Sequence, residues 1–204
     1  LINAPLAGAA AEAPEYHDRV PLVFYRPDVW KRETIDNTNE GVQHGLFITD
    51  WDSDGRDDIL TGSFSGIDLY QAQDNGKWKR TEIAKGSPAP CPKCGTSDVT
   101  VGKVGEVRFL ATIEPWHGNE VAVYRHSREG WARTVIDDSI VQGHTIITVD
   151  LDHDGRDEIV AGYRGNGGSV LLYRANAQGA WSKTVLDHAI PANACAVADL
   201  NADG

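Results

Sequence analysis

The sequence predicts an all-β fold, a β-propeller of four-stranded blades, on three observations. An acidic loop occurs as DWDSDGRDDIL from Asp50 and again as DLDHDGRDEIV from Asp150, and it starts once more as DLNADG at Asp199. A tryptophan segment occurs four times: WKRETID from Trp30, WKRTEIA from Trp78, WARTVID from Trp131 and WSKTVLD from Trp181. Ahead of each stands a short apolar stretch ending in tyrosine: VFYR, DLYQ, AVYR and LLYR. The period is about fifty residues, and self-similarity at that spacing signals a solenoid or a propeller.

Each repeat divides into four short strands. In the copy that follows Gly143 these are HTIITV, DEIVAGY, SVLLYR and WSKTVLD, separated by Asp/Gly loops or by turns of the NAQG kind. All are rich in β-branched and aromatic residues and too short for a competing helix. Four strands per repeat make a propeller blade, whereas a β-sandwich would not return the same Trp and Tyr in register. The expected boundaries are 1–40 for the end of blade one, 41–94 for blade two, 95–142 for blade three, 143–192 for blade four and 193–204 for the start of blade five. Blades of this type number about seven or eight, so the chain is expected to be an incomplete fragment of such a ring. The repeating tryptophans are expected in the core between blades.

Composition narrows the partners. The 204 residues carry a formal net charge of -11, which disfavours nucleic acid and anionic membrane surfaces. No apolar run approaches the roughly 20 residues of a spanning helix. Oligomeric state is not legible.

The acidic loops have the pattern of a cation site. Numbered from Asp50, side-chain oxygens fall at positions 1, 3, 5 and 9, on Asp50, Asp52, Asp54 and Asp58; the second copy has Asp150, Asp152, Asp154 and Glu158. Position 6 is Gly55 or Gly155, where a sharp turn around an ion favours a residue without Cβ. Position 7, Arg56 or Arg156, offers a backbone carbonyl. Hard oxygen donors on a flexible loop suit Ca2+. Zn2+ is not suggested, because the one imidazole in the loops, His153, should point outward. An EF-hand would need a glutamate at position 12, where Thr61 and Ala161 stand instead. The third copy offers Asp199, Asn201 and Asp203. Blade three runs TVGKVGEVRFLAT without a loop, so its turn should be free of metal.

The pattern D-x-[DN]-x-D-G-x-x-[DE]-[IL], in blades with an LY strand and a Trp strand, resembles the FG-GAP/VCBS repeats of secreted and cell-surface propellers. The resemblance covers nearly the whole chain. It implies structural calcium in the first hairpin of a blade and an extracellular, cell-surface or periplasmic location. The W-x-[KR]…ID…H variant is similar to the propeller of aldos-2-ulose dehydratase-like sugar lyases, and less closely to calcium-dependent rhamnogalacturonan lyases.

Topology separates the loops into two faces. The first and third hairpins, with the calcium loops, share one. The second hairpins and crossovers share the other, and there the histidines gather. His44 and His144 each stand six residues before the first loop aspartate, and SFSG, EPWHGNE and RGNGG bring His117 and Arg164. His44, His117, His144 and Arg164 are the candidate catalytic set: imidazoles to move a proton and a cation to hold an oxyanion. His44 and His144 could equally share a metal ion. Trp116 is expected in an exposed loop, available to stack on a sugar ring. His17, His126, His153 and His188 read as structural. Cys91 and Cys94 form a CPKC segment, read as a short disulfide with half a zinc site as the alternative; Cys195 stands alone. Two functions follow: a carbohydrate lyase or dehydratase with a histidine-lined pocket, or a non-catalytic glycan-binding or adhesion propeller.

Overall fold

The structure, a computed structural model, describes residues 1–200. Among these residues the strands form four antiparallel sheets. The first holds β1 (Ile2–Asn3), β2 (Arg19–Tyr25) and β3 (Arg32–Glu40). The second holds β4 (Gln43–Thr49), β5 (Asp58–Ser63), β6 (Gly66–Ala72) and β7 (Trp78–Ala84). The third holds β8 (Asp98–Val104), β9 (Val107–Glu114), β10 (Glu120–Ser127) and β11 (Gly130–Asp137). The fourth holds β12 (Gly143–Val149), β13 (Glu158–Tyr163), β14 (Ser169–Ala175) and β15 (Trp181–His188). Strand order in every sheet follows the chain, which is the up-and-down connectivity of a propeller blade.

Burial explains the composition of each strand. The second strands, DILTGS and EIVAGY, are buried along almost their whole length, so they read as apolar runs without alternation. The outer strands β7 and β15 are largely exposed, which is why they tolerate Lys, Arg, Ser and Thr between their apolar residues.

Contacts group the chain into two compact units, Leu1–Val99 with Thr112–Gly118, and Thr100–Ala111 with the chain from Asn119. The same tie holds neighbouring sheets together in both. In the first unit the Tyr70 hydroxyl donates to Asp36 (2.8 Å) and accepts from Asn39 (3.0 Å), while Arg80 bridges Asp36 (3.3 Å) and Asp68 (2.8 Å). In the second unit the Tyr173 hydroxyl donates to Asp137 (2.6 Å), and Lys183 Nζ lies 3.0 Å from the same carboxylate. The tyrosine and the basic residue of one sheet thus grip the aspartate that ends the tryptophan segment of the sheet before. Burial opposes ionisation of Asp137, yet hydrogen bonds from Tyr173, Ser139 and Lys183 outweigh it and hold the carboxyl below its usual range. Burial, reinforced by that carboxylate, pushes the Tyr173 phenol well up.

The tryptophans do not all reach the core. Trp78 packs on the Leu22, Ile59 and Tyr70 cluster and meets Phe24 edge-on, and Trp181 meets Phe109 at 5.4 Å. Trp30 is 63% exposed, contrary to expectation. It lies in the turn between β2 and β3 at φ 50°, and β3 begins two residues later at Arg32, whereas β7 and β15 begin at their tryptophans. Trp78 and Trp181 each meet an aromatic ring of the sheet before their own, so burial follows that contact.

Candidate functional site

The acidic loops join β4 to β5 and β12 to β13, and both wrap the same way. Asp50 accepts from the backbone N–H of Asp54 (3.1 Å) and Gly55 (2.9 Å); Asp150 accepts from Asp154 (3.1 Å) and Gly155 (2.9 Å). Gly55 and Gly155 adopt φ 85° and 83°, so position 6 uses the freedom that glycine supplies. Ser53 and His153 also have positive φ, a second tight point at position 4 that the sequence did not signal.

The wrap brings positions 1, 3 and 9 together. Asp50, Asp52 and Asp58 offer oxygens within 4.8 Å of one another, as do Asp150, Asp152 and Glu158. Position 9 is buried in both loops and is fixed by the backbone: Trp51 N–H donates to Asp58 (3.1 Å) and Leu151 N–H to Glu158 (2.9 Å). Burial raises the Asp58 carboxyl, and the charges of Asp52 and Asp54 push the same way. Three crowded carboxylates, one of them buried, form an oxygen-only donor set that fits a hard divalent cation.

Position 5 is placed differently from the sequence reading. Asp54 turns to Arg56 (2.6 Å), which also reaches Asp74 (3.0 Å), and Asp154 lies 3.9 Å from Arg156. Neither aspartate is among the three that gather in its loop. The Arg156 carbonyl is not spent on the neighbouring hairpin, because the flanking peptides carry those bonds: Gly105 N–H to Gly155 and Asp157 N–H to Lys103. Asp199 is exposed, while Asn201 and Asp203 lie outside the described residues.

One position escaped the sequence reading. The residue after the third-strand tyrosine leans over each loop: Gln71 donates to Asp52 (2.8 Å) and Asp58 (3.4 Å), and Arg174 approaches Glu158 (3.5 Å) and Asp152 (4.0 Å). The signal was present in the LYQ and LYR copies of the repeat.

The histidines are placed by β4, β12 and the second hairpins. In the first unit the half-buried His44 ring meets His117 edge-on, centroids 5.4 Å apart. His117 sits in the β9–β10 turn at φ 48°, its N–H on Ser97 Oγ (3.4 Å). Trp116 is not an exposed platform. It stacks on His117 (4.4 Å, 28°), contacts Tyr16 and Phe64 edge-on, and buries an indole N–H that has no hydrogen-bond partner among the described residues. Cys94, bonded to Cys91, packs in this aromatic cluster, so the CPKC segment is a disulfide as read.

In the second unit His144 Nδ1 lies 2.8 Å from the Asn193 carbonyl. Burial lowers its pKa, and the positive charge of Arg164 adds to this against the carbonyl, so the imidazole is neutral at pH 7. Arg164 is half-buried where β13 gives way to a single 3-10 turn, Gly165–Gly167. The structure therefore brings His44 to His117 in one unit and His144 to Arg164 in the other.

Blade-like sheets whose first hairpins carry this acidic wrap define the class, a β-propeller with FG-GAP-like repeats. Residues 150–204 match the model of the FG-GAP-like repeat. Residues 16–127, more than half of the chain, match that of the aldos-2-ulose dehydratase β-propeller domain, and the chain belongs to that family. No curated protein matches it. Among the described residues no helix is long and apolar enough to cross a membrane.

Proposed function

We propose that this chain is part of a calcium-stabilised, secreted propeller that acts on carbohydrate as a sugar lyase or dehydratase. The observation that carries the reading is the His44–His117 pair, which lies inside the stretch matching a dehydratase propeller. Dehydration of a keto-sugar needs a base, an acid and a cation. A neutral imidazole takes the proton from the carbon beside the carbonyl, and an imidazolium protonates the departing hydroxyl, which leaves as water as the C=C bond forms. A guanidinium stabilises the enolate oxygen between these steps. His44, His117 and His144 are the candidates for the first two roles and Arg164 for the third; His144 is already neutral at pH 7.

Calcium would be held by Asp50, Asp52 and Asp58 and by Asp150, Asp152 and Glu158, with the Arg56 and Arg156 carbonyls completing the loops, and would act on stability. The Cys91–Cys94 disulfide supports an oxidising compartment. The FG-GAP-like match supports a second reading, a non-catalytic glycan-binding or adhesion propeller.

The double variant His44→Ala/His144→Ala of the intact protein separates the two. With an aldos-2-ulose as substrate, followed by the ultraviolet absorbance of the conjugated product, turnover should fall by at least about 100-fold with unchanged circular dichroism. Turnover that persists in the double variant would remove His44 and His144 from the catalytic set, and glycan binding without turnover by the parent protein would remove the enzymatic reading.

A further inference from the structure

The third sheet has only Gly105 and Glu106 between β8 and β9, where the second and fourth sheets have acidic loops. Beside this short turn, within the second unit, lies a pocket of about 320 Å³. Phe109 and Val107 line it on the apolar side, and the polar residues Arg125, Arg156, Asn176 and Gln178 also line it. No carboxylate lines it, in a chain whose formal charge is -11.

The wall and the polar groups are set by their neighbours. Phe109 is pinned between Trp181, at 5.4 Å edge-on, and Gly102, where any Cβ would stand 2.4 Å from the ring. Arg125 donates to the Gly179 carbonyl (3.2 Å), which anchors one end of its guanidinium. The Asn176 side-chain oxygen is taken by the N–H groups of Gln178 (3.0 Å) and Ala180 (2.9 Å), which leaves its NH2 as a donor. Arg156 is weakly engaged: its loop aspartate is 3.9 Å away, against 2.6 Å for the matching pair in the first unit.

We infer that this pocket binds a monosaccharide-sized sugar acid, such as a hexuronate. Two guanidiniums match a carboxylate, the Phe109 and Val107 wall suits the apolar face of a sugar ring, and the amides suit its hydroxyls. The volume accommodates one ring. The site is separate from the histidines and does not depend on the reaction proposed for them.

Calorimetric titration of the chain with glucuronate tests this, with glucose and inorganic phosphate as comparators and calcium present throughout. Saturable glucuronate binding is expected, weakened at least about tenfold by Arg125→Gln. Val107→Asp should do the same by placing a negative charge in the pocket; Val107 is 63% exposed, so the core is untouched. Absence of saturable binding, equal binding of glucose or phosphate, or full binding by both correctly folded variants would overturn the assignment.

Discussion

The loops at Asp50 and Asp150 share a backbone and differ in what leans over them. Each is wrapped by its first aspartate and gathers three carboxylates within 4.8 Å. In the first the neighbour is the neutral amide of Gln71; in the second it is the guanidinium of Arg174, 3.5 Å from Glu158. An amide donates to carboxylates without cancelling their charge. A guanidinium does both, and so competes with a cation for the same oxygens. Arg174 is about half exposed, so solvent weakens this competition without abolishing it. Two loops that share the carboxylates at positions 1, 3 and 5 and the glycine at position 6 are therefore expected to be unequal sites, the first tighter than the second.

The largest effect should come from the buried carboxylate at position 9. Asp58→Asn should abolish the tighter site, lowering its calcium affinity by at least about 100-fold, and Glu158→Gln should do the same to the weaker one; calcium-dependent melting curves read both. If either variant leaves the calcium-induced rise in Tm intact, that loop is not a site.

Exchanging the overhanging residue sharpens the contrast. Arg174→Gln should tighten the second loop and Gln71→Arg should loosen the first, each by about three- to tenfold, measured by competition with a calcium-chelating dye. Affinities that do not move in opposite directions would show that the overhanging side chain is irrelevant.

Much of the fold was legible because a propeller repeats its chemistry. Asp50 and Asp150, the Trp segments and the tyrosine strands recur in register, and the sheets follow from them. What the repeat could not show was which partner each side chain finds. Tyr70 and Tyr173 were visible as repeats, but their grip on Asp36 and Asp137 needs the sheet before, and periodicity within one copy is blind to it. Trp30 failed for the same reason: burial depends on a neighbouring sheet and not on the motif. Gln71 and Arg174 were visible after the repeating tyrosine, but nothing within one strand shows that this residue reaches over the acidic loop. Trp116 was misplaced because an aromatic residue in a loop reads as exposed, whereas the long segment that carries Tyr16 folds back to pack against it. The Cys91–Cys94 pairing was open because spacing alone allows both a disulfide and half a metal site.

Calcium titration of the chain by calorimetry tests the central claim most directly. At least two sites of unequal affinity are predicted, with the tighter one alone lost in Asp58→Asn. Absence of calcium binding, or equal sites that both survive this substitution, would contradict it.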